Sequence, residues 1–446
     1  MRIVLIILMC LTLNQVALKA DEKPALIVLT DIGGDTDDEQ SFVRLLLYSD
    51  KLDIKSICIT SRLGHGQDIK PEIVINQLNA YREVYPNLKL HSEGFPTPEY
   101  LFSIVKKGQG DQFNFGKGFE TEASDHIINV VDKTNETVHI AVWGGLRELA
   151  QALWNLKETR SQDELAAFCK KIQVHAIGNQ DGHRDWIIDN FKDVRFIASS
   201  FVFLGEFGIR ELATFRGMYM TGDVTMQDGN WVRQHIHGHG PLSDLYQLHG
   251  HGTDGMKEGD TPSFIGLISN GLNVPERPDW GGWGGRFRLL KHSLFIDAQD
   301  FLNGELNERH SVARWRTQFQ NDFMARIKWC VESYDNANHN PIVIVNGSTD
   351  KLPFYIDVKA GQKLTFNASE SYDPDGNDLH YKWFFYDEIS YMGLGCLKMN
   401  ITLSGRKCQV WLPEHLRGST IHLILEVTDD GKPRLSTYKR IIIKVV

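Results

Sequence analysis

A chain of 446 residues is longer than one hydrophobic core usually serves, so more than one domain is expected. The composition is that of an ordinary globular protein with somewhat raised glycine. A formal net charge of -9, with no large basic block, disfavours a general nucleic-acid-binding role.

The first residues read as an export signal. Arg2 is the charged start, Ile3 to Leu13 the apolar middle, and Ala20 a small residue suited to the position before a cut. The apolar middle is too short to cross a bilayer and no later segment is a better candidate, so no membrane span is expected. Residues 1–20 are therefore expected to be removed, leaving a secreted or periplasmic chain that begins near Asp21.

Strand-like and helix-like segments then alternate. "ALIVLT" is a short apolar run, and "DEQSFVRLLLYSD" has helical spacing at Phe42, Leu45, Leu46 and Leu47. "IKSICIT" is the next strand, and "PEIVINQLNAYREVY" a helix opened by proline. "VHIAVWGG" and "KIQVHAIG" are strands on either side of the helix "LRELAQALWNL". This alternation predicts an α/β fold, a mostly parallel sheet flanked by helices, whose ligands bind beyond the carboxyl ends of the strands.

The pattern changes near "DNANHNPIVIVNG". Beyond it, short strands separated by turns predict a small all-β, immunoglobulin-like sandwich, giving a main domain over residues 21–338 and a second over residues 339–446. "SESYDPDGNDLHYKWFFY" resembles the turn-and-strand stretch of PKD-like folds. There Asp373, Asp375 and Asp378 either bind calcium or, the favoured reading, build an Asp/Gly turn. The five cysteines outside the signal lack metal-ligand spacing; Cys396 and Cys408 are close enough to pair, and the others suit isolated buried thiols.

The chemistry concentrates after the first strand. "DIGGDTDD" packs Asp31, Asp35, Asp37 and Asp38 into eight residues, with Gly33 and Gly34 allowing a sharp turn. A helix N-terminus favours one or two such carboxylates through capping and the helix dipole, and a solvated acidic loop requires no explanation. A hard cation accounts for three or four, since calcium takes several oxygen ligands and relieves their repulsion.

"LTDIGGDTDDEQSFVRLL" resembles the N-terminal motif of the nucleoside-hydrolase fold. It is more similar still to the secreted branch described as cellulose-binding proteins, which join a nucleoside-hydrolase-like domain to an immunoglobulin-like one. "IAVWGGLRELAQAL", "EGDTPSFIGLISNGL" and "WGGWGGRF" extend the resemblance over the mature chain. It implies a Ca2+ ion at the strand ends, with Asp38 a bidentate ligand, Asp31 both general base and ligand, Asp260 a further carboxylate and the carbonyl near Trp143 completing the shell. Asp37 would accept from a sugar hydroxyl. Two departures stand out: the first aspartate is two residues further from the Asp-Asp pair than usual, so Asp35 competes for the roles given to Asp31 and Asp37, and Gly259 occupies the place of a histidine that assists the leaving base.

Further candidates follow from strand ends and loop chemistry. Arg62 and His65 in "TSRLGHG", and Asn179, Asp181 and His183 in "IGNQDGHRDWI", are expected at the pocket rim or in surface loops. Trp280 and Trp283 in "PDWGGWGGRF" either stack on a sugar with Arg286 bonding its hydroxyls, or pack the loop against the body. The five histidines of "HIHGHGPLSDLYQLHGHGTDG" match no standard zinc spacing. Two functions compete: a calcium-dependent hydrolase of N-ribosyl or other glycosyl bonds, and a non-catalytic binder of a cellulose-like polysaccharide on the same scaffold. The ligand is accordingly a nucleoside, glycoside or polysaccharide.

Overall fold

The computed structural model describes residues 23–111, 113–199, 212–249, 254–390, 402–403 and 405–446. The expected alternation is present: β1 (Ala25–Thr30), α1 (Thr36–Leu47), β2 (Asp53–Ile59), α2 (Pro71–His91), β3 (Val105–Lys107), α3 (Glu122–Lys133), β4 (Val138–Val142), α4 (Arg147–Thr159), α5 (Gln162–Lys170), β5 (Ile172–Ile177), α6 (His183–Asn190) and β6 (Arg195–Ser199). The hairpin β7 (Phe287–Lys291) and β8 (Leu294–Asp297) completes an eight-stranded sheet in the order β3-β2-β1-β4-β5-β6-β8-β7, in which β7 alone runs antiparallel. Among the described residues no helix is long and apolar enough to cross a membrane.

The apolar strands read continuously because both faces of the sheet are covered. In β1, Leu26 and Val28 face a core built with α1, α2 and a helix α7 (Arg316–Lys328); Ile27 and Leu29 face one built with α3 and α4. α2 runs through Pro86 to His91, beyond its expected end. Leu88 lies in the core, and the Asn87 amide donates to the Trp329 and Glu332 carbonyls at 2.8 and 2.6 Å, so tertiary contacts offset what the proline removes.

The chain builds outward from β1 through β2 to β3, then returns to place β4 on the other side of β1. The gap beyond the carboxyl ends of β1 and β4 is therefore the topological switch point, where an open α/β sheet leaves a crevice.

The hairpin β9 (Asp300–Leu302) and β10 (Glu305–Asn307) precedes the C-terminal strands. β11 (Phe354–Val358), β12 (Lys363–Asn367), β13 (Leu379–Phe385), β14 (Thr402–Leu403), β15 (Lys407–Trp411), β16 (Thr420–Asp429) and β17 (Ser436–Val445) form sheets ordered β11-β17-β16-β13 and β12-β15-β14. Phe366, Trp383, Val410, Leu425 and Ile443 fill the sandwich between them. The larger sheet's outer face is buried too, since Ile424 and Tyr438 join the core of the main body. Asp373 accepts from the Asp375 and Asn377 amides at 2.9 and 3.1 Å and so closes the Asp/Gly turn, while Asp375 holds His339. Cys58, Cys169, Cys330 and Cys408 are buried free thiols; Cys396 and residues 1–22, where the export signal is expected, lie outside the described residues.

Candidate metal centre

The aspartates divide by position on α1. Asp35 is its N-cap, accepting from the Thr36 amide at 2.9 Å, and Asp37 and Asp38 occupy the first turn. Asp31 directly follows β1, and its carbonyl accepts from the Gly34 amide at 3.1 Å to close a turn in which Gly33 has φ +87°. Arg62 donates to the Gly33 carbonyl at 3.0 Å and pairs with Asp68. It fixes that turn and does not line the pocket, a correction to its expected ligand role.

Asp260 comes from the far side. Asp37, Asp38 and Asp260 each present a ligand atom, all within 4.8 Å of one another. One Asp260 oxygen, Oδ2, is buried with no hydrogen-bond partner among the described residues. Thr30 donates to Asp38. Burial raises all four carboxyls: Asp31 to about 6, Asp37 to about 7, and Asp38 and Asp260 well above the ordinary range, with the neighbouring aspartates adding to the last three. Such a group either shares protons or is neutralised by a cation, and the orphaned Asp260 oxygen fits a hard divalent ion. The structure is a protein chain alone, and these side chains form the donor set it offers.

Polar tethers hold the two sides together. Arg44 of α1 donates to Glu258 through Nε at 2.5 Å and Nη2 at 3.0 Å. Gln40 accepts from the Lys257 amide at 2.7 Å, and the Ser41 and Thr261 hydroxyls are hydrogen-bonded at 3.1 Å. The Trp143 indole donates at 3.0 Å to Ser263, whose hydroxyl donates to the Asp260 carbonyl at 2.6 Å.

The paired glycines after β4 have separate jobs. A Cβ on Gly144 would lie 2.4 Å from Cγ and Oδ1 of Asp31, and one on Gly145 would lie 2.6 Å from Oδ2 of Asp181. Asp181 is not a pocket residue as expected: it accepts from the Arg147 amide at 2.9 Å, capping α4, and from the His183 amide at 3.1 Å. His183 likewise turns inward, edge-on to Phe115. The Trp143 carbonyl, an expected metal ligand, accepts from Gln180 at 2.5 Å.

The resulting cavity, about 450 Å³, is lined by Asp31, Asp35, Asp37, Asp38, His65, Trp143 and Asn179, and also by Gln180, Phe215, Arg216, Tyr219 and Lys257. Of the expected rim residues, His65 and Asn179 are there. The last five were missed. Gln180 shares the strand-end signal of Asn179, and Lys257 precedes the quoted "EGD" motif; Phe215, Arg216 and Tyr219 lie in a segment with no periodic signal. Lys257 pairs with Asp35 and lies 3.9 Å from Asp37.

The tryptophan loop lies elsewhere. Trp280 is 6% and Trp283 1% exposed, so neither offers a ring face to a sugar. Trp280 packs edge-on to His422 at 4.7 Å, and Trp283 packs against Phe319 and Tyr438. The loop is a wedge between body and sandwich, and its glycines admit side chains of the sandwich: a Cβ on Gly281 would lie 2.3 Å from the Tyr386 hydroxyl. Arg286 is also structural, donating at 2.6 Å to buried Asp300, which accepts from Arg314 and Tyr386 as well. The histidine loop forms no cluster with metal-ligand geometry among the described residues; His237 and His239 bond backbone carbonyls locally, and His251 lies outside them.

Residues 25–287 match the family model described as cellulose-binding Sde182, nucleoside hydrolase-like domain, and residues 363–445 match the cellulose-binding protein Sde0182, C-terminal domain. A solved nucleoside hydrolase-related hypothetical protein from Saccharophagus degradans, associated with carbohydrate metabolism, aligns with 33% identity over 95% of this chain and 100% of its own, with a TM-score of 0.81. A mouse clustered protocadherin aligns over 26% of this chain and 36% of its own at 16% identity, and its TM-score of 0.15 carries no structural argument. No curated protein sequence matches the chain significantly.

Proposed function

The chain belongs to the family of cellulose-binding proteins with a nucleoside hydrolase-like domain, and on that premise we propose that it is a secreted, calcium-dependent hydrolase of glycosyl bonds. The observation that carries the reading is the convergence of Asp37, Asp38 and Asp260 within 4.8 Å at the sheet's switch point. Charges of one sign are not gathered in a buried place without a counter-charge. The short apolar stretch after Arg2 supports export.

Asp37, Asp38 and Asp260 would hold the cation, which when bound would lower the pKa of a coordinated oxygen and orient a sugar diol. Asp31, behind Gly144 and raised to about 6, is the proton acceptor in this scheme. His65, Asn179 and Gln180 frame the saccharide from the strand-end loops. Carboxylates around the cavity stabilise positive charge that develops on a sugar as its substituent departs.

The test is a release assay with a panel of nucleosides and oligosaccharides, with calcium or a chelator, alongside melting curves. Calcium at about a hundred times its Kd should stabilise the fold by about 2.7 kcal/mol, and Asp38→Ala should abolish that gain. Cleavage that stops in Asp31→Asn supports catalysis. A protein that cleaves nothing yet retains polysaccharide is the second reading, a non-catalytic binder. Lys257 favours that reading, since its ammonium already compensates part of the acidic cluster.

A further inference from the structure

A groove separate from the carboxylate pocket runs between the hydrolase-like body and the sandwich. One compartment of about 280 Å³ adjoins another of about 690 Å³, with Lys51, Ser269 and Lys351 lining both. One wall is a stack of rings. His91 lies on Trp329 at 5.1 Å and 2°, Trp329 faces His339 at 5.3 Å, and His339 faces Tyr334 at 4.0 Å. Tyr334 ends the stack and is 40% exposed. The His339 ring is held by Asp375 at 2.9 Å and contacts His91 at 3.0 Å, so the platform is ordered before any ligand arrives.

The rest of the lining is polar and of both signs. Asn270 is 8% exposed; its oxygen accepts from the Leu272 and Asn273 amides, while its Nδ2 has no hydrogen-bond partner among the described residues. A buried donor left unmade is costly, and this one belongs to the groove lining. Asp322, in the same lining, accepts from Asn340 at 2.9 Å and from Arg326 at 2.9 Å, and Lys351 lies in the field of Lys51 and Arg326 as well as of Asp50 and Asp322. Carboxylates beside the lysines disfavour an anion, and the charges disfavour a purely apolar molecule. A sugar supplies hydroxyls that donate and accept, with an apolar ring face for an aromatic platform.

We propose that this groove is a second saccharide site, taking a neutral β-linked glucan with one sugar ring on Tyr334. The proposal rests on the polysaccharide-ligand reading and is independent of catalysis in the carboxylate pocket. Calorimetry of the full chain with cellohexaose tests it. Tyr334→Ala should weaken binding at least about tenfold, and Tyr334→Phe, which keeps the ring, should retain it within about threefold. Ser269 is exposed at the junction of the two compartments, so Ser269→Trp should obstruct the groove and abolish binding without touching the ring stack. Full affinity in folded Ser269→Trp overturns the groove while leaving the polysaccharide reading intact. If wild type binds no cellohexaose, the polysaccharide reading falls and this site falls with it.

Discussion

Arg44 and Glu258 form a bidentate salt bridge in which neither side chain is exposed, with contacts of 2.5 and 3.0 Å. Arg44 lies on α1, whose first turn carries Asp37 and Asp38, and Glu258 lies two residues before Asp260. The pair therefore sets the distance between the two sides of the acidic cluster. Tyr246 and Thr261 also donate to Glu258, at 2.5 and 2.7 Å, so its lone pairs are well satisfied. Glu258→Ala leaves Arg44 buried and unpaired and should lower stability by about 3–5 kcal/mol. Chemical denaturation checks this, and calcium should stabilise the variant less than it stabilises wild type.

Gly144 gives a sharper test of the site, because its surroundings exclude even a methyl group. With Asp31 atoms 2.4 Å from where a Cβ would lie, Gly144→Ala must displace either the carboxylate or the β4 end. The expected cost is about 1–3 kcal/mol in melting experiments, as for other overpacked sites. It should also reduce any glycosyl cleavage. Gly145→Ala presses on Asp181 instead, so it should destabilise the α4 cap and leave Asp31 in place.

The wedge between the domains predicts a stability effect. Trp283 is buried against Phe319 and Tyr438, and its backbone amide donates to Asn273 at 2.9 Å. Trp283→Ala should cost about 3–5 kcal/mol of folding stability, the range for a large aromatic removed from a core. If instead the variant melts like wild type but loses saccharide affinity, the loop is a ligand platform after all.

What could be read in the sequence was what is local. The acidic cluster is a run of neighbouring residues at the end of a buried strand, and the sheet follows from alternating apolar runs. The errors fall on residues whose partners are distant in the chain. Asp181 meets the Arg147 amide 34 residues earlier, and Trp283 meets Tyr438 155 residues later. A glycine-flanked tryptophan looks exposed until a second domain covers it, and an aspartate at a strand end looks like a ligand until a neighbouring helix needs a cap.

Two buried histidines predict how stability depends on pH. His139 on β4 and His175 on β5 line one narrow cavity under the 262–287 segment, and burial lowers them to about 4 and about 3. Each has one ring nitrogen without a hydrogen-bond partner among the described residues, so neither site is built to receive a proton. Unfolded, both would titrate near 6.5. The unfolded chain thus binds protons first, and the stabilisation from keeping both rings neutral is complete above pH about 6.5 and lost as pH falls towards the folded values. Over that window the two together should remove several kcal/mol, since each tenfold difference in proton affinity between the folded and unfolded chain corresponds to about 1.4 kcal/mol. In chelated protein the raised carboxyls of Asp31 and Asp37 take up protons in the folded chain over the same window and oppose this loss, so the histidine contribution is read as a difference between variants. From pH 7.5 to 4.5 the melting temperature of His175→Gln, which cannot titrate, should rise relative to that of wild type; a constant difference would place the acid sensitivity elsewhere.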